Sequence, residues 1–147
     1  MIIYFKCVLL LFVLLFFRID VTDNIKPKIE LISPLNRTDI VRGHPLRVCA
    51  VLSDNMMLND FQIRISKGGS EDLSFVTGFS CNHLTNACVD AMGNPLPMIK
   101  DKKKVRLDFC IGIEKYTVVG DYYFMLLVKD KAGNKQIIKS SFNVVRD

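Results

Sequence analysis

Asp54, Asn55, Asn59 and Asp60 fall within one short stretch of this 147-residue sequence, and Asp130 and Asn134 fall within another. All six offer side-chain oxygens from turn-like surroundings. Calcium takes roughly six to eight oxygen ligands at about 2.3–2.6 Å, so carboxylates and amides on turns are its natural donor set. For one ion to use both stretches, the turns would have to converge at one end of the fold. The same residues also have a simpler use. Asp and Asn cap turns by bonding their own backbone, and Gly133 supplies the positive φ of a tight hairpin. Turn capping is therefore the expected role, and no cofactor is required. Calcium is the one ion that Asp54, Asn55, Asp60, Asp130 and Asn134 would suit.

A second group has sulfur and imidazole chemistry. Cys81, His83 and Cys88 lie close in sequence, and His44 is the other histidine. Their spacing fits no zinc pattern, and oxidised cysteines cannot ligate metal as thiolates. Setting Cys7 aside leaves Cys49, Cys81, Cys88 and Cys110, an even number that permits three pairings. Strand phase favours one of them. If Leu46, Val48, Ala50 and Leu52 face inward, Cys49 faces outward. If Val105, Leu107, Phe109 and Ile111 face inward, Cys110 does the same. Two outward cysteines on neighbouring strands would meet across a ladder, leaving Cys81 and Cys88 to close a short loop. Each such bridge would contribute about 2–4 kcal/mol.

Catalytic machinery is not evident. There are two histidines and no Gly-x-Ser-x-Gly elbow. Glu71 and Asp72 are adjacent and would point to opposite faces of an extended chain. The sequence is thus expected to be non-catalytic. One strand does present a candidate binding surface. If Tyr122, Phe124, Leu126 and Val128 fill a core, then Tyr123, Met125 and Leu127 line the opposite face as a partner surface, unless other chain covers them.

The formal net charge is +5, and the densest basic run is Lys100 to Arg106. That run reads as a solvated turn leading into a strand, with anionic surfaces or glycans as the alternative target. No aromatic residues interleave with it, so nucleic-acid binding is not expected. Met1 to Lys6 is followed by an unbroken apolar run from Cys7 to Phe17. This resembles the core of an export signal and is short for a bilayer span. Residues 1–20 are therefore expected to be a signal peptide or an N-terminal membrane anchor, with the domain proper at 26–147. The protein is expected at the cell envelope or outside the cell. It would contact the membrane through its N-terminal segment if that segment is retained.

The elements that must position these groups are strands. Lys28–Ile32, Leu46–Ser53, Phe61–Ile65, Val105–Ile113, Tyr122–Lys129 and Ile137–Val145 alternate apolar and polar residues between turn signals, and Leu73–Phe79 is a candidate seventh. About seven short strands without a helical pattern predict an all-β sandwich.

Several motifs carry a family likeness. Lys26-Pro27-Lys28-Ile29-Glu30-Leu31-Ile32-Ser33-Pro34 resembles the opening strand of bacterial immunoglobulin-like domains. Leu52-Ser53-Asp54-Asn55 with Phe61-Gln62-Ile63 is similar to their second turn. Gly120-x-Tyr122-x-Phe124 leading to Asp130-Lys131-Ala132-Gly133-Asn134 resembles their closing hairpin. The nearest match is an uncharacterised family of bacterial envelope lipoproteins, a domain of unknown function, although Arg18-Ile19-Asp20 stands where a lipid-bearing cysteine would be expected. The resemblance implies an immunoglobulin-like antiparallel sandwich, of cadherin or fibronectin III type, and a surface location. It implies no activity. The expected role is a binding or structural module that meets a protein or glycan at the cell surface. The alternative is a carbohydrate-binding accessory domain of a bacterial surface system.

Overall fold

A computed structural model describes residues 22–68 and 90–147. Among the described residues seven strands follow in order: β1 (Lys28–Ser33), β2 (Thr38–Val41), β3 (Leu46–Ser53), β4 (Leu58–Lys67), β5 (Lys104–Ile111), β6 (Gly120–Asp130) and β7 (Lys135–Val145). They form a sheet ordered β1-β3-β5 and a second ordered β2-β7-β6-β4. All pairings are antiparallel except that of β2 with β7, which is parallel. Two packed sheets with this strand order make an immunoglobulin-like sandwich.

Alternation drives this arrangement. Leu46, Val48, Ala50 and Leu52 of β3 pack inward with Leu107, Phe109 and Ile111 of β5. From the other sheet come Phe61, Ile63, Tyr122, Phe124, Leu126, Val128, Phe142 and Val144. Each buried side chain of this size contributes about 1.5–3 kcal/mol, which is what holds the two layers face to face. Phe61 and Phe109 meet across the layers at a centroid distance of 6.0 Å, and Tyr122 stacks on Phe142 at 5.5 Å. The Tyr122 hydroxyl donates to the Val118 carbonyl at 2.7 Å, fastening the corner before β6 in the manner of a tyrosine corner. Burial raises that hydroxyl's pKa, so it stays a donor.

The strands expected from the sequence are present where they can be compared, with longer ends for β4, β6 and β7 and with β5 ending at Ile111 rather than Ile113. Two points differ. β2 is an additional strand that the sequence pattern did not single out, and its parallel pairing departs from a purely antiparallel sandwich. The stretch Leu73–Phe79 lies outside the described residues, as do Glu71 and Asp72.

β1, β5 and β7 begin at the same end of the sandwich where β3 and β6 finish. The β3–β4 turn, the turn before β5 and the β6–β7 hairpin therefore gather there. The segment leading into β1 arrives at this end too.

Candidate metal centre

The convergence required for a shared ion does occur. One carboxylate oxygen each from Asp23, Asp54 and Asp130 lies within 4.8 Å of the other two. Asp54 opens the β3–β4 turn, Asp130 closes β6, and Asp23 belongs to the strap of residues 22–27 that precedes β1.

Backbone bonding fixes each contributor. The Asp54 amide donates to the Lys103 carbonyl at 2.8 Å, and Leu58 donates to Lys102 at 2.9 Å, lashing the β3–β4 turn to the turn before β5. Lys131 donates to the Met57 carbonyl at 3.0 Å and joins the hairpin to the same turn. In the hairpin, Gly133 takes φ 94°, which lets Asn134 fold back onto Asp130. The Asn134 amide donates to Asp130 Oδ1 at 2.8 Å, and its side chain donates to Asp130 Oδ2 at 2.8 Å. The same Asn134 side chain holds the strap, donating to the Asp23 carbonyl at 2.9 Å and to the Ile25 carbonyl at 3.3 Å. Asn55 donates to Asp23 Oδ1 at 3.0 Å, as does the Ile25 amide.

Asn134 serves both oxygens of Asp130, whereas Asp54 and Asp23 are each anchored by one oxygen and left without a donor at the other. Asp54 Oδ2 accepts the Met56 amide at 2.9 Å, while Asp54 Oδ1 has no donor and is closed to solvent. Asp23 Oδ1 has two donors, while Asp23 Oδ2 has none and is likewise closed. Asp130 is the most deeply set of the three, at 1% exposure. Three like charges so close repel one another, and an unpartnered buried carboxylate oxygen is costly to leave. A divalent cation would answer both penalties, and the all-oxygen donor set suits Ca²⁺. Asp23, Asp54 and Asp130 would hold it, with Asn55 bonded to Asp23 and Asn134 bonded to Asp130.

Asp90 provides an internal contrast. It is also buried, and its oxygens accept the amides of Met92, Asn94 and Cys110 at 2.8–3.1 Å. Burial pushes its pKa up, but those donors outweigh the effect and hold it below the usual carboxylate range. Asp90 is a satisfied structural clamp, whereas Asp23 and Asp54 each keep one oxygen unspent.

Relative to the sequence expectation, Asp54, Asn55, Asp130 and Asn134 are brought together. Asp60 is not part of the cluster. It sits on β4 opposite Lys129, and Asp23 takes the third position instead. The cue for Asp23 was weak, because nothing in an Asp five residues before a strand distinguishes it from any solvated residue.

The expected cysteine bridge is corrected. Cys49 and Cys110 share the outer face of the β3–β5 pair, but both are free thiols. Register is the reason: Cys49 stands opposite Asp108, and Cys110 stands opposite Arg47. The two are therefore diagonal rather than facing. Cys49 is also buried despite its outward phase, with its Sγ 3.1 Å from Arg106 Nη2. Arg47 makes a two-pronged bond to Asp108 at 2.7 and 2.8 Å. Cys81, His83 and Cys88 lie outside the described residues, and His44 is exposed.

On the outer face of the other sheet, Tyr123 is 46% exposed, while Met125 and Leu127 are half-buried. Their cross-strand neighbours on β7 are Ser141, Lys139 and Ile137, the last also 46% exposed.

Comparison with known proteins places this architecture in a family. The chain matches the family described as domain of unknown function (DUF4625) over residues 18–145, and it belongs to that family. No curated protein matches it. Among solved structures, the fibronectin(III)-like modules of CbhA from Clostridium thermocellum align at 10% identity and a TM-score of 0.49, covering 83% of this chain and 48% of that one. The present chain thus spans about half the length of that structure. A Niemann-Pick type C2 protein from Japanese carpenter ant aligns at 14% identity and a TM-score of 0.49, covering 80% and 89%. CopC from Methylosinus trichosporium OB3b aligns at 15% identity and a TM-score of 0.38, covering 81% and 95%.

Proposed function

We propose that this member of the DUF4625 family is a non-catalytic immunoglobulin-like module that works outside the cytosol and takes Ca²⁺ at Asp23, Asp54 and Asp130. The observation that carries the reading is the pair of buried, donorless oxygens, Asp23 Oδ2 and Asp54 Oδ1, on two members of one three-carboxylate cluster. Calcium sites of extracellular modules work at roughly 10⁻⁴–10⁻³ M, a concentration available outside a cell and not in the cytosol. A site of three carboxylates on half-exposed turns belongs in that class. The apolar run at Cys7–Phe17 supports the same compartment. Bound calcium would make the end of the sandwich rigid, so that its faces can be presented to a protein or glycan. The outer-face residues Tyr123, Met125 and Leu127 are the partner surface in this reading.

Thermal unfolding tests the ion. At a hundredfold excess over Kd a ligand contributes about 2.7 kcal/mol, which raises the Tm by several degrees. Calcium should produce that rise relative to chelator. Asp54→Asn should abolish the calcium-dependent rise while leaving the Tm in chelator unchanged or higher, because it relieves the charge repulsion. A wild-type Tm that is the same in calcium and in chelator would sink the proposal.

A further inference from the structure

The end of the sandwich that holds the carboxylate cluster has two further properties that ion binding alone does not explain. Ile25, Met56 and Met57 project from the strap and the β3–β4 turn at 58%, 47% and 39% exposure. Around them, the strap 22–27 and the turns 54–57, 100–103 and 130–134 hold five lysines and four aspartates. Of the lysines, Lys26, Lys102, Lys103 and Lys131 are exposed. Lys131 pairs with Asp101 within this same end.

We infer that this end is a docking face for an anionic lipid surface, completed by calcium. The inference rests on the calcium reading above. Exposed apolar side chains and lysines on one end of a fold form the pattern of an interfacial membrane contact, with apolar tips entering the headgroup layer and ammonium groups on the phosphates. Without an ion, the clustered carboxylates oppose approach to a negative leaflet. One Ca²⁺ changes the formal charge of these segments from +1 to +3, and the resulting attraction acts within about one Debye length.

Chain direction identifies a bilayer as the occupant. The strap continues upstream from this end toward the apolar run Cys7–Phe17, while β7 leads Val145 to the opposite end. The strap that carries Ile25 is thus the described segment next in sequence to that apolar run, and Met56 and Met57 share its end of the sandwich.

The test uses the full chain, labelled with ¹³C at methionine methyls, in lipid nanodiscs carrying a gadolinium headgroup probe. In anionic discs with calcium, the Met56 and Met57 signals should be lost. They should persist in chelator and in neutral discs. Met92, beside the Asp90 clamp near the end of β5, should keep its signal throughout. The double variant Lys102→Glu/Lys103→Glu should keep the calcium-dependent rise in Tm and lose the broadening. A Tm rise with no broadening in anionic discs overturns the docking face and leaves the calcium site standing. Broadening that ignores both lipid charge and calcium reflects the tether alone and also overturns it. Absence of any Tm rise removes the calcium reading and this inference together.

Discussion

Asp54 and Asp90 are both turn aspartates, and what separates their chemistry is unspent bonding capacity. Asp90 has donors on both oxygens, while Asp54 has a donor on one. Sequence can announce that an Asp will cap a turn, as it did for Asp54 and Asp130. It cannot show that the second oxygen will be closed off from water, because that depends on chain packed from elsewhere. Asp23 was missed for the same reason. Asn134 is the residue that joins these parts, since its side chain reaches both the hairpin and the strap. Asn134→Ala should cost about 1–3 kcal/mol and weaken calcium binding, measured by denaturant unfolding and calorimetric titration. A second residue-scale outcome concerns acid. The Arg47 hydrogen bond, then its charge, holds Asp108 below the usual carboxylate range. A carboxylate with a lowered folded pKa contributes stability that is complete above its unfolded value, near 3.8, and is lost as pH falls through the folded value. Asp108→Asn should therefore lower stability at neutral pH, where that contribution is complete, and the difference from the unsubstituted protein should close as pH falls below about 4, flattening the acid limb of the profile.

Among the elements, the strands with strict alternation were legible and their inward faces were assigned correctly. β3 and β6 bury the residues their patterns nominated, and β5 buries Leu107, Phe109 and Ile111 while Val105 is partly buried against the same core. β2 was not legible, since Thr38–Val41 is too short to show a period and pairs through β7 rather than through a hairpin. Register was beyond the pattern as well. Alternation placed Cys49 and Cys110 on one face, but a ladder shifted by two residues preserves every face while changing every partner. Peptide mapping without reductant should accordingly find no Cys49–Cys110 cross-linked pair. The β6–β7 hairpin makes a separate prediction. A Cβ on Gly133 would meet nothing within 4 Å, so the cost of Gly133→Ala is purely one of backbone conformation. It should lower stability by about 1–2 kcal/mol, read from the shift in the unfolding midpoint.

At the scale of the molecule, the two sheets share a single core, and its centre is shielded completely. Leu126 and Phe124 are both 0% exposed. Leu126→Ala should cost about 2–5 kcal/mol in chemical denaturation, with the spread set by how far Ile63 and Ile138 relax into the space. A two-layer fold of this kind was readable because each strand carried its own record of inside and outside. The assembly of a site from a strap and two turns was not, because it depends on which ends of which strands coincide.

The parallel alignment of β2 with β7 has a mechanical consequence. The strap enters at one pole and β7 leaves at the other, so tension applied across residues 22 and 147 runs along the strands. The four paired positions from Thr38 to Val41 would then be loaded in shear, all at once, rather than peeled apart one after another. Ahead of them in the line of force stands Asp23, so an occupied ion site would act as a catch that must open before the first strand can be pulled free.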